Sequence, residues 1–255
     1  MKKLIRLEWM KISGYRTFWV FLGLYVLLIF SVYYGFDSVL KLGINMSSVY
    51  RFPDVWYYVA YVSSWFAPIL GLMMINLVAN EFTFKTLRQE IIDGLSRSEF
   101  LAAKLGFAAI ISIGAGLIAL IAGLTIGLLK GDQGFTQELF SQLDYILRIC
   151  WVCFGMMSAG ILITLLFKRS ALAILIFLAL FWIAEPLAGR IWLADIYPYF
   201  PLNSLDEFIS SPISLESPVP NFGRIPTQTG VLIAGLIWPI VFNLISFQLI
   251  RSKDL

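Results

Sequence analysis

A single acid, Glu185, stands in a long apolar run and is followed at once by Pro186; a second apolar run carries Cys150-x-x-Cys153. An ionisable group inside a membrane-length apolar stretch is a candidate functional residue by default, and a polar residue at a wet boundary is the alternative. The C-x-x-C spacing serves disulfide exchange where a neighbouring base or helix terminus lowers a thiol pKa. Neither neighbour is present here, so protonated thiols in helix packing are the reading. The chain contains no histidine. That removes the usual general base, zinc ligand and triad partner. No pair of catalytic groups converges, no metal-ligand spacing occurs, and no G-x-x-x-x-G-K-S/T loop is available to cradle phosphates. The residue types therefore speak against an enzyme.

The stretch with the most chemical information is Asn80–Phe100. Phe84, Leu87, Ile91 and Leu95 recur at helical spacing, with Lys85, Arg88, Gln89 and Asp93 between them, which predicts an amphipathic helix. Gly94 is a natural stop for it. Ser96 followed by Glu99 has the form of a capping box, and Phe100-Leu101 opens the next apolar run. Such a helix rests on lipid headgroups or docks a cytoplasmic partner; the residues alone allow both.

The elements that must position these residues follow from composition. Of 255 residues, 59% are apolar and 14% charged, and the mean hydropathy is +0.83. A soluble domain carries about a quarter charged residues. Six runs are long enough to cross a hydrocarbon core as helices: Thr17–Phe36, Trp56–Ala79, Leu105–Leu129, Tyr145–Phe167, Ala171–Ala188 and Gly230–Ile250. The fifth is short and ends at Glu185-Pro186, where it reads as a possible broken helix. With the N-terminus inside, 13 of the 19 Lys and Arg residues fall on inner segments and six on outer ones. That split predicts both termini in the cytoplasm and a multi-pass protein of the inner or plasma membrane.

Residues 1–255 thus read as one all-α membrane domain with three added features. Residues 1–16 form a short interfacial helix with Ile5, Trp9 and Ile12 on one side. Residues 80–99 are the inner loop. Residues 189–229 are an outer segment holding six of the ten prolines, predicted to form short helices at the outer interface. Gly123-x-x-x-Gly127 permits close helix approach, read as packing within the chain. Pro68 and Pro239 are expected to kink the second and sixth spans.

The pattern Glu81-x-x-x-Lys85-Thr86-Leu87-Arg88, then Gly94-Leu95-Ser96-Arg97, Phe100-Leu101 and Lys104-Leu105, resembles the permeases of type-2 ABC exporters. Those read Glu, three residues, Gly-Thr, a hydrophobe and a basic residue, then a Ser-Arg turn and a Lys-Leu helix start. Lys85 departs from the common glycine. The resemblance implies a permease that pairs with a second copy or a sister subunit, a homodimer in the first case. It also implies a cytoplasmic ATP-binding cassette subunit that supplies the phosphate-binding loop, ATP and Mg, with no cofactor in this chain. The inner loop would then be the coupling helix, docking the ATPase through Glu81, Thr86, Leu87, Arg88, Ile91, Gly94, Ser96 and Arg97. The scarcity of intramembrane charge other than Glu185 suggests an amphipathic or apolar cargo. Competing readings are a non-transporting subunit of an envelope or motility machine, and an ATP-independent channel or carrier.

Overall fold

Apolar runs of this length have one way to satisfy their backbone in lipid, and the chain takes it: every regular element among the described residues is a helix. The computed structural model describes residues 2–39, 50–130, 140–191, 196–210 and 228–252. Helix α1 is Lys2–Ser13, α2 Arg16–Val39, α3 Asp54–Thr83, α4 Thr86–Ile92, α5 Arg97–Lys130 and α6 Asp144–Phe167. Then α7, Ser170–Ala179, runs through a π-helical segment, Leu180–Ala184, into α8, Glu185–Ile191. A 3-10 turn at Tyr197–Tyr199 and the short α9, Asn203–Asp206, precede α10, Gln228–Ser252.

Five of these paths are long and apolar enough to cross a membrane: α3, α5, α6, the continuous course Ser170–Ala188, and α10. The described part of α2 qualifies only together with α1, from which it turns by 88°. The protein is therefore an all-α, multi-pass membrane protein with five or six spans among the described residues.

Several sequence expectations meet their physical cause here. The fifth run is not broken at Glu185-Pro186. Proline has no N–H to donate and its ring crowds the carbonyl four residues back. The helix absorbs this with its π-helical segment, in which the Glu185 N–H reaches back to the Leu180 carbonyl. The helix then continues to Ile191. Pro68 and Pro239 both lie inside continuous helices, α3 and α10. The α6–α7 hairpin turns on Lys168 at φ 55°, with its N–H donating to the Thr164 carbonyl at 2.8 Å.

The interior is built by α3 and α6, whose apolar stretches are 72% and 78% buried, against 17% for Ser170–Ala188 and 28% for α10. Helices in lipid gain little from hydrophobicity and associate through close packing, which favours small residues at the seam. A Cβ on Gly160 would stand 2.7 Å from the Gly71 carbonyl oxygen, and one on Gly71 would stand 3.0 Å from the Met156 carbonyl oxygen. The two backbones approach closely there, and the Phe177 ring fills the remaining space over Gly71. Gly123 and Gly127 on α5 receive the rings of Trp56 and Phe52, so this pair serves packing within the chain. Cys150 presses on Gly116 and Cys153 lies buried beside the Tyr25 hydroxyl at 3.7 Å; both thiols are free.

The described part of the outer segment is anchored rather than loose. Trp238 Nε1 donates to the Tyr199 carbonyl at 2.8 Å, and the Tyr57 hydroxyl donates to the Ser210 carbonyl at 2.8 Å. Prolines 212, 218, 220 and 226 lie outside the described residues.

Candidate coupling site

The chain between α3 and α5 is shaped by three local devices. Helix α3 ends at Thr83, and Lys85 takes the left-handed conformation at φ 57°. Glycine adopts it without steric cost, and the position is the one where the resembling permeases carry glycine. Next comes α4. Its end is closed by Gly94 at φ 99°, whose N–H donates to the Ile91 carbonyl at 3.1 Å while the Leu95 N–H donates to the Glu90 carbonyl at 2.9 Å. These two bonds are a Schellman closure. Ser96 then caps α5: the Glu99 N–H donates to Ser96 Oγ at 3.2 Å, and the Ser96 N–H donates to Glu99 Oε2 at 2.9 Å. Such a cap is worth about 1 kcal/mol. The turn, stop and cap fix the angles at which α4 leaves and rejoins the spans.

The left-handed turn also changes which residues share a face. Phe84 is out of phase with α4 and is 65% exposed, whereas Leu87 is 3% exposed and Ile91 half-buried. The expected stripe Phe84–Leu87–Ile91–Leu95 therefore holds only from Leu87 onward. Phe84, Ile92 and Asp93 are exposed on this segment.

Beneath α4 lies a group of charges drawn from four helices. Lys104, on the first turns of α5, is 1% exposed. A buried ammonium persists only when paired and hydrogen-bonded. Its Nζ donates to Glu8 of α1 at 2.5 Å and to Glu81 at the end of α3. Both carboxylates are themselves buried. Lys11 of α1 stands 3.5 Å from Glu8 and 3.8 Å from Glu81, and its Nζ donates to Glu90 of α4. Three carboxylates thus share two ammoniums. Burial pulls the Lys11 pKa down, but the hydrogen bond with Glu90 and the charges of Glu81, Glu8 and Glu90 outweigh it and hold the group above its ordinary value. A cavity of about 510 Å³, lined by Lys11, Tyr15, Leu77, Glu81, Gln89 and Lys104 among others, opens beside this group. Where the cavity intervenes, the Lys11–Glu90 ion pair bridges α1 to α4 across it.

The sequence-predicted residues take distinct places around this group. Glu81 is turned inward onto Lys104. Thr86 begins α4, its hydroxyl donating to the Glu81 carbonyl at 3.5 Å. Leu87 and Ile91 seat α4 on the helices beneath. Arg88 lies on the helix, and its side chain is outside the described residues. Gly94 and Ser96 form the turn and cap, and Arg97 opens α5, half-buried. Glu185 is remote from all of them: it accepts the backbone N–H groups of Leu202 and Asn203, at 3.1 and 2.8 Å.

Glu8, Lys11, Glu90 and Lys104 as a connected set escaped the sequence reading. One signal was available. Glu8 falls between Ile5 and Ile12 on the same helical face, and the structure buries Glu8 and Ile12 while leaving Trp9 45% exposed. A charge on the inward face of an amphipathic helix calls for a partner. Trp9 instead packs its ring near Phe18, Trp19 and Phe107, with centroids 6.4 Å apart in each case.

A family model covers most of these parts. The model described as ABC-2 family transporter protein aligns with residues 4–184. The chain belongs to the ABC-2 transporter family. Members of the ABC-2 family are non-catalytic permeases, and their membership implies cooperation with a cytoplasmic ABC ATPase. The ABC-2 match runs from within α1 through the π-helical segment, and so takes in the turn, stop and cap between α3 and α5 and all five members of the charge group. No curated protein sequence matches the chain.

Proposed function

We propose that this chain is the permease subunit of an ABC exporter in which α4 docks a separate cytoplasmic ATPase, so that ATP hydrolysis there moves the spans here. The observation that carries the reading is the construction of the inner loop. Leu87 and Ile91 fasten α4 to the spans, while Phe84 and Ile92 are left 65% and 73% exposed on the opposite side. Two exposed apolar residues at either end of a short helix, held between a left-handed turn and a Schellman stop, are suited to a groove on a partner.

In this reading Glu81 and Lys104 are positioning residues rather than contacts. Displacement of α4 is delivered to α3 and α5 through the backbone at Lys85 and Gly94, and to α1 through Lys11–Glu90. The docking face comprises Phe84, Ile92 and Asp93 with Thr86, Arg88 and Arg97 at its margin. Helix α1 lies along the cytoplasmic surface, which its 88° turn into α2 supports. Both termini are cytoplasmic, in keeping with the 13-to-6 distribution of basic residues. Two permeases, identical or sister, complete the unit, and the apolar faces left open on Ser170–Ala188 and α10 suit lipid or that second subunit.

The test is purification of the intact chain from its native membrane. A nucleotide-binding subunit is expected to accompany it, and Arg88→Glu with Arg97→Glu should reduce both the association and the ATPase rate. Purification with no such subunit, or charge reversal without effect on either quantity, overturns the assignment. A non-transporting role in an envelope assembly would instead show ATPase association without vectorial movement of any amphipathic cargo.

A further inference from the structure

A second cavity, of about 290 Å³, lies on the other side of the molecule between α3, the π-helical segment, α8 and α9. Its lining is Trp65, Phe181, Trp182, Pro186, Tyr197, Asn203 and Asp206. Four aromatic rings and one carboxylate in a space of headgroup size form an uncommon combination. Ring faces carry negative potential and attract cations, most strongly for tryptophan, and enclosure by several such faces is how quaternary ammonium groups are recognised. A carboxylate beside them adds full charge.

We propose that this cavity is a binding site for an alkylammonium group. The walls are braced for the task. Trp65 is held edge-on by Tyr61, with centroids 5.2 Å apart; Tyr197 is held by Phe200 at 6.1 Å; and Phe181 and Trp182 stand 6.1 Å from each other at 59°.

The floor is set by Glu185. Its carboxylate accepts the N–H groups of Leu202 and Asn203, pinning the start of α9 against α8 and so placing Asn203 and Asp206 in the cavity. The Asn203 amide is engaged with the Tyr197 carbonyl at 3.3 Å. Among the described residues, Glu185, Asp206 and Glu207 supply three acids here, while Arg51 before α3, Lys130 at the end of α5, Arg148 on α6 and Arg190 on α8 are the basic residues at the same ends of the helices. The π-helical segment that Pro186 imposes is also what turns Phe181 and Trp182 toward α9. The lone intramembrane acid of the sequence thus acts as a positioning residue for the site and does not itself touch the ligand.

The ammonium can arrive on a phospholipid headgroup or on a soluble or transported amine. This site is independent of the docking role of α4.

The experiment measures binding of radiolabelled choline to the full chain in nanodiscs, with 3,3-dimethylbutanol, the uncharged carbon isostere, as competitor. Saturable choline binding that the isostere displaces poorly is expected. Trp182→Ala should weaken it roughly 2- to 30-fold, the range from an exposed to a desolvated cation–π contact, and Asp206→Asn should weaken it further. Because Trp182 is 65% exposed, its truncation leaves the fold intact, and an unchanged melting curve verifies this. Nanodiscs of phosphatidylcholine against phosphatidylglycerol separate the sources: suppressed choline binding in the former identifies a lipid headgroup, and equal binding identifies a soluble amine. Absence of saturable binding in phosphatidylglycerol nanodiscs, equal competition by the isostere, or unchanged affinity in Trp182→Ala overturns the proposal.

Discussion

Replacing Lys104 with methionine keeps most of the stem volume and removes the one fully buried ammonium of the coupling region. In the native structure Lys104 is 1% exposed, Glu8 3% and Glu81 8%, so most of the solvation of these charges comes from one another. What remains is Lys11, 3.5 Å from Glu8 and 3.8 Å from Glu81 while hydrogen-bonded to Glu90. One ammonium would face three carboxylates. Removing one partner of a buried pair costs about 3–5 kcal/mol, since it strands the other charge. Lys11 is 35% exposed at its side chain, and its own removal belongs to the surface scale of about 0.2–1 kcal/mol. Magnitude therefore separates the two lysines: Lys104 is the structural centre of the group and Lys11 the weak link to α4. The assay is denaturant unfolding of the full chain in detergent micelles at neutral pH, for Lys104→Met, Glu81→Gln and the double variant. The double variant should recover a coupling of about 0.5–3 kcal/mol, because the second change removes a stranded carboxylate. A Lys104→Met variant within about 1 kcal/mol of wild type, or strict additivity in the cycle, would refute the reasoning.

Three further outcomes are expected. Gly160→Val should fail to assemble the α3–α6 seam, because its Cβ would stand 2.7 Å from the Gly71 carbonyl oxygen; loss of the folded monomer peak on size exclusion is the readout, and Gly23→Ala, whose Cβ meets nothing within 4 Å, should leave that peak unchanged. Asp206 is pushed up to about 6 by burial and by the Glu207 charge, so its ionised form opposes folding. That penalty is absent below about pH 4, where Asp is protonated in both states, and complete above the folded value; Asp206→Asn should therefore stabilise the chain in thermal melts at pH 8, by at most ~3 kcal/mol, and have no effect at pH 3.5. Lys11→Gln should leave the melting temperature nearly unchanged yet lower the ATPase stimulation that the permease gives its partner; equal loss of both would place Lys11 in the fold alone.

Local chemistry made much of the coupling loop readable. Gly94 could be assigned as a stop because the closing bonds are to residues three and five back, and the Ser96–Glu99 cap spans three positions. Spans were readable because hydropathy is additive along a helix. The charge group was not, since Lys104 meets Glu8 across 96 positions of sequence, and no periodicity encodes such a meeting. Phe84 was placed on the wrong side because a helical wheel assumes unbroken α geometry, which Lys85 interrupts at φ 57°. Glu185 could be singled out as an unusual acid, but its partners are two backbone N–H groups at Leu202 and Asn203, groups that every residue but proline possesses and no side-chain pattern reveals.

The docking role of α4 is tested most directly by site-specific photo-crosslinking in the native membrane. A photoreactive residue at Phe84 or Ile92 should yield an adduct with a P-loop ATPase, while one at Trp182 should yield none. No ATPase adduct from either of these two positions, or an equal yield from Trp182, would contradict the assignment of this segment as the coupling element.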